Sequence, residues 1–146
     1  MKITDIELHE IHPPIPAWNR DAVRLFSGNG WDARTIIVLH TDTGLEGIAE
    51  AEGPPRESLE QEVEQLRGTN PCRWLGHPQL NIWVAPAIYD LVGKANDVPA
   101  YQLLGPKVRS WVPVSSWTVS QTPALMAKEA QDAVQHGHTW LKFHTS

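Results

Sequence analysis

Two side chains near the end of the chain have types and spacing suited to chemistry. In Trp140-Leu141-Lys142-Phe143-His144, the two-residue period of a strand puts Lys142 and His144 on one face and Leu141 and Phe143 on the other. Lysine brings a fixed positive charge. A neutral imidazole accepts a proton near pH 7 without the large pKa depression that a lysine base needs. The same pair also reads as a plain solvated strand end.

A second group lies in residues 13–33, where Pro13, Pro14 and Pro16 and then Gly28-Asn29-Gly30 break any regular pattern. The segment holds Trp18, Asn19, Arg20, Arg24, Phe26 and Trp31. Arginine can grip a carboxylate bidentately, and aromatic rings can exclude water from a reacting centre. An ordinary exposed loop with its aromatics tucked onto a sheet fits equally well. Ser115, Ser116 and Trp117 follow an expected strand, Val112-Pro113-Val114-Ser115, and from there can reach a site at its end; a simple turn has the same sequence. His136-x-His138 with His144 resembles a metal set only by spacing, with no cysteine or carboxylate to complete it. Glu50 and Glu52 read as the solvated outer face of a sheet.

These groups need a scaffold. Ile6 and Leu8 alternate with Glu7 and His9 in a strand over 2–12, and Ile3 on the other parity predicts a bulge. Residues 35–40 are a second strand. Thr41-Asp42-Thr43-Gly44 is a hairpin turn, and 45–52 return as a third, giving a three-stranded antiparallel meander. Leu59, Val63 and Leu66 mark a helix closed by Gly68. Ala85, Ile88, Leu91, Val92 and Ala95 mark a second, with Pro86 tolerable in its first turn. Beyond Gly105-Pro106 the pattern resets. The strand at 112–115 is followed by a helix opening at Thr122-Pro123, burying Met126, Ala130, Ala133 and Val134, and ending at Gly137; the strand at 140–144 comes next. Strand, helix and strand with short connections make a parallel βαβ unit. Trp74, Trp83, Trp111 and Trp140 are expected in core or interdomain packing.

Composition narrows the partners. The 146 residues are 41% apolar and 20% charged, ordinary for a globular chain. A formal charge of −5 with no basic stripe argues against nucleic acid. The single Cys72 forms no internal disulfide, and the start lacks the apolar run of a signal peptide. No run of 18 apolar residues crosses a membrane. The expected setting is the cytoplasm.

Four local motifs in order resemble one family. Thr41 to Glu50 resembles a hairpin ending in G-x-G-E, with Ala49 in place of the second glycine. Ala87-Ile88-Tyr89-Asp90-Leu91-Val92-Gly93-Lys94 is similar to an A-x-x-D-x-x-G-K helix, and Val98 to Gly105 to the V-P-x-x-x-L-L-G that follows it. Lys142-Phe143-His144 falls where K-x-K is carried on the second barrel strand. Together they resemble the enolase superfamily, of the mandelate racemase and muconate lactonizing enzyme type, over essentially the whole chain.

The resemblance implies an α+β capping domain over 1–105, the three-stranded antiparallel meander followed by helices. It is joined to the first βαβ unit of an incomplete (β/α) barrel over 106–146, the beginning of a TIM-like barrel. It implies Mg²⁺, with ligands on later strands outside this chain, and a homo-oligomer for the complete protein. Lys142 would stabilise a carboxylate or enediolate, and His144 would occupy a base position, in departure from K-x-K. The 13–33 loop, with Pro54, Pro55 and Arg56, would select a small carboxylate substrate. The polar loop suits an acid sugar, hence a dehydratase before a racemase or cycloisomerase. The 146 residues alone would be inactive. The competing reading is a non-catalytic module that keeps the capping fold and acts by binding or association.

Overall fold

The computed structural model describes residues 1–15, 20–28 and 32–144. The chain divides into two compact units, one formed by Met1–Pro13 and Asp32–Lys107, the other by Pro14–Trp31 and Val108–Ser146. The three-stranded antiparallel sheet, the helices after it and the later parallel strand pair are those the sequence predicts.

In the first unit, β1 (Ile3–Ile11), β2 (Arg34–Thr41) and β3 (Glu46–Glu52) form a sheet with β2 in the centre. Leu8 faces Ile37 and Ile6 faces Leu39 across β1 and β2, so the apolar parity of both strands falls on one side. The expected irregularity lies between Ile3 and Asp5. Ile3 is fully buried, and its N–H and C=O pair with Thr69 and Gly68. Gly44 takes the left-handed conformation (φ 77°) that closes the β2–β3 hairpin.

The helices α2 (Glu57–Glu64) and α3 (Ala85–Ala95) cover the apolar side. Leu59, Val63 and Leu66 join Ala87, Ile88 and Leu91 in one core with Ile3, Ile37 and Leu39. Each such side chain contributes about 1.5–3 kcal/mol by leaving water. The contact of α3 with β3 is unusually close. A Cβ built on Gly47 would lie 2.3 Å from the Ala87 carbonyl oxygen and 2.5 Å from Leu91 Cγ. A Cβ on Gly93 would lie 2.8 Å from the Val98 carbonyl oxygen.

Because β3 is an edge strand, its outer N–H and C=O groups need partners. Asp90 Oδ2 accepts from Ile48 N–H at 3.0 Å, and Lys94 Nζ donates to the Glu46 carbonyl at 2.7 Å and to Asp90 at 2.8 Å. The A-x-x-D-x-x-G-K pattern therefore has a structural cause. Ala87 and Gly93 allow close approach, and Asp90 and Lys94 clamp the sheet edge. Arg67 makes a comparable tie, donating to the Thr4 carbonyl, Asp5 and Glu64. Its hydrogen bond to Asp5 holds that carboxyl below its usual range.

The second unit holds α1 (Arg20–Ser27), β4 (Ser116–Val119), α4 (Pro123–Gln135) and β5 (Leu141–His144). The segment read as irregular loop is thus helical over 20–27. Val23 is fully buried there, and α1 packs on β4. β4 and β5 pair in parallel, from Ser116↔Leu141 to Val119↔His144. The strand expected at 112–115 lies four residues later, because only 116–119 find a partner; Val112 and Val114 are exposed. Thr122 and Pro123 open α4, and Gly137 (φ 83°) ends it. Of the expected buried face Ala133 is buried, whereas Val134 is exposed. Trp111 (89% exposed) and Trp140 (68%) also depart from expectation: among the described residues a two-stranded sheet with a short helical layer offers too little surface to cover them. Trp74 meets expectation, packing against the first unit's core with its indole N–H on Thr69 Oγ1.

Candidate active site

β5 delivers Lys142 and His144 on one face at its carboxyl end, where Lys142 stands beside Trp117 and His144 beside Val119 of β4. The end of β5 is pinned to the turn after β4. Ser120 donates to the His144 carbonyl from its backbone N–H at 2.9 Å and from its hydroxyl at 3.3 Å. Both Lys142 and His144 are solvent-exposed. The Phe26 ring of α1 lies against the His144 imidazole, with centroids 4.9 Å apart and planes tilted by 50°. A loop candidate and a strand candidate therefore meet within one unit.

The other candidates lie as follows. Trp18, Asn19 and Trp31 fall outside the described residues. Arg20 opens α1 and is half-buried, its guanidinium donating from Nε and Nη2 to the Ile15 carbonyl at 3.4 and 3.3 Å. Arg24 is exposed on the same helix. Arg56 belongs to the first unit, at the start of α2, with its guanidinium folded over Gly53. Gly53 itself has φ 83° and is tied into the sheet end by Thr35 Oγ1 donating to its carbonyl at 2.8 Å. Ser116 does not join Lys142 and His144. It begins β4, at the opposite end of the strand pair, and lines a cavity of about 380 Å³ with Glu129, Asp132, Ala133, His136 and His138. There His136 donates to the Asp132 carbonyl and His138 to the Val114 carbonyl through Nδ1. The Lys128 pKa is raised by its hydrogen bond to Asp132, a helix-surface pair.

Mg²⁺, which the family resemblance implies, meets no suitable ligand set among the described residues. That ion takes a near-octahedral set of oxygen ligands. The Lys142 ammonium has no lone pair, and His144 offers at most one nitrogen. Among the described residues no three histidine, cysteine, aspartate or glutamate side chains converge on a common point. These residues do not fit the ion.

No protein-family model matches the chain. Individual proteins do. Cis-3-hydroxy-L-proline dehydratase of Roseibium aggregatum is 28% identical, over 95% of this chain and 44% of that protein. N-succinyl-L-Arg/Lys racemase of Bacillus cereus is 28% identical, over 97% of this chain and 44% of that protein. D-galactonate dehydratase of Variovorax paradoxus is 29% identical, over 70% and 32%. Among solved structures, a mandelate racemase/muconate lactonizing family protein from Azoarcus sp. EbN1 superposes with a TM-score of 0.71 at 26% identity, covering 98% of this chain and 41% of that one. A dipeptide epimerase from Methylococcus capsulatus, solved with a Mg ion, superposes with a TM-score of 0.71 at 20% identity, covering 98% and 44%. The chain spans less than half the length of these proteins.

Proposed function

We propose, from a chain that carries the amino-terminal fold and sequence pattern of mandelate racemase/muconate lactonizing enzyme-type members of the enolase superfamily, that these residues are part of a Mg²⁺-dependent enzyme. It removes the proton α to a carboxylate and passes through an enediolate. The observation that carries this reading is the pair Lys142 and His144 on one face at the carboxyl end of β5. His144 accepts the α-proton, the electron pair of the C–H bond passes into the carboxylate, and the Lys142 ammonium offsets the charge that develops there. The metal ligands and a second acid/base group come from outside these 146 residues. In this reading residues 1–105 are the capping domain and 106–146 the start of the barrel. The complete protein is a homo-oligomer.

An acid sugar is the proposed substrate, and dehydration its fate. Loss of the β-hydroxyl as water, protonated from elsewhere in the barrel, would collapse the enediolate. Asn19, Arg20, Asp21, Arg24, Ser27 and Asn29 give residues 13–33 the polarity such a substrate needs. The likeness to a D-galactonate dehydratase supports the same class. Trp18, Asn19, Arg20, Arg24, Phe26, Trp31 and Arg56 are each proposed for substrate contact. Ser116 is the weakest member, being at the far end of β4.

The test is solvent exchange. A protein in which these 146 residues continue through the remaining barrel strands should wash deuterium from D₂O into the α-position of its substrate when Mg²⁺ is present. Galactonate, cis-3-hydroxy-L-proline and N-succinyl-L-arginine form the first panel, and the acid sugar should also lose water. Failure of every α-protonated carboxylate to exchange would remove the reading. The 146-residue chain alone should neither exchange nor give a specific site in isothermal titration with Mg²⁺. A stoichiometric site of micromolar affinity there would refute the assignment of the ligands to later strands.

A further inference from the structure

The Phe26 ring of α1 lies against the His144 imidazole of β5. Val23 and Phe26 are three residues apart and so share one side of α1. Val23 is fully buried, and α1 packs on β4, so the helix is seated rather than loosely draped. Arg20 holds the first turn onto the Ile15 carbonyl. Phe26 is therefore presented at a fixed place, and it meets the imidazole at 4.9 Å in a tilted ring contact, within the range where aromatic pairs attract.

A base at a strand end needs such a neighbour. His144 is exposed, and an exposed side chain moves among several rotamers. Proton removal needs one of them, with the ring nitrogen within about 2.6–3.2 Å of the proton. Small misplacements of a reacting group are costly in rate. A carboxylate could orient the imidazole, but by hydrogen bonding it would engage one nitrogen. A ring-on-ring contact restrains the imidazole and leaves donor and acceptor roles to the substrate.

We infer that Phe26 is a positioning residue: its ring holds the His144 imidazole in one rotamer, so that the seating of α1 sets the readiness of the base. This rests on the reading of His144 as the proton acceptor, but its test does not require turnover. The 146-residue chain is labelled with ¹³C-histidine and examined by NMR. The His144 ring protons should be displaced from their random-coil shifts by the Phe26 ring current. The two Hα–Hβ couplings of His144 should be unequal, the mark of a single rotamer. Phe26→Leu keeps an apolar side chain on α1 but removes the ring. In it the displacement should vanish and the couplings should average, while the methyl shifts of buried Val119 hold. Phe26→Tyr should restore both His144 signatures. Random-coil His144 shifts or averaged couplings in the unmodified chain, from whatever cause, overturn the inference. So do signatures that survive in Phe26→Leu. Absence of α-proton exchange would count against the enediolate reading and leave these signatures untouched.

Discussion

Replacing Gly47 with alanine should destabilise the amino-terminal unit by about 3 kcal/mol, at the upper end of what overpacking a tight contact costs. The added methyl would sit 2.3 Å from the Ala87 carbonyl oxygen and 2.5 Å from Leu91 Cγ. Leu91 can adjust, but the carbonyl is part of α3, so relief requires the helix to lift from β3. That lift would stretch the Asp90 and Lys94 bonds to the strand edge, 2.7–3.0 Å long in the native arrangement. Gly44 supplies the control in the same hairpin. It has φ 77° with nothing within 4 Å of its added Cβ, so Gly44→Ala should cost only the left-handed strain, about 1–2 kcal/mol. Since 1 kcal/mol shifts Tm by about 4–8 °C in a unit of this size, thermal melts separate the two. Leu91→Ala should not rescue Gly47→Ala, because the carbonyl remains. Equal melting of the two glycine variants would mean that α3 slides freely over β3, and the close approach would lose its structural meaning.

That contact also shows where reading the sequence stops. The meander was legible because Ile6, Leu8, Ile37 and Leu39 alternate with polar residues and Gly44 marks the turn, all short-range signals. The apolar stripe of α3 was legible for the same reason. Its Asp90 and Lys94 were visible as a motif without a cause, since their partners, Ile48 N–H and the Glu46 carbonyl, lie more than forty residues away. Only the knowledge that β3 is an edge strand beside α3 explains them. Ala49, in place of a second motif glycine, is buried in one core cluster with Ala87, Ile88 and Leu91 of α3.

The second unit was read less well. Val112 and Val114 alternate as a strand should, yet they find no partner in the sheet, whereas Ser116–Val119 pair with β5. Alternation reports a half-buried surface, not who covers it. Ser116 moved with that shift, from the end of a strand to its beginning. The helix α1 is not legible in the sequence because eight residues between prolines and glycines carry only Val23 and Phe26 as an apolar stripe, and Leu25 is exposed. That Lys142 and His144 share a face is legible because the two-residue period of a strand fixes it. The meeting of His144 with Phe26 is not legible, since nothing local links position 26 to position 144.

Lys142→Ala provides the largest expected effect on chemistry. The side chain is exposed at the end of β5, so its removal opens no core, and the stability change should stay within about 0.5 kcal/mol, as for ordinary surface positions. In the proposed reaction, by contrast, its charge offsets the negative charge that accumulates as the α-proton leaves. Removing one preorganised stabilising group of that kind costs about 10²–10³ in kcat. In a protein that continues through the whole barrel, Lys142→Ala should therefore lose turnover by about that factor while its Tm stays in place. The companion variant is His144→Asn, which cannot accept the proton. If His144 is the base, α-deuterium exchange should fall as far as it does in Lys142→Ala. If His144→Asn loses only a few-fold, the base lies on another strand and Lys142 alone carries the assignment of β5. Unchanged kcat in Lys142→Ala would remove Lys142 from the site. The alternation of β5 would then describe a solvated strand end, and the competing reading, a capping fold that acts by binding alone, would become the better account of these 146 residues.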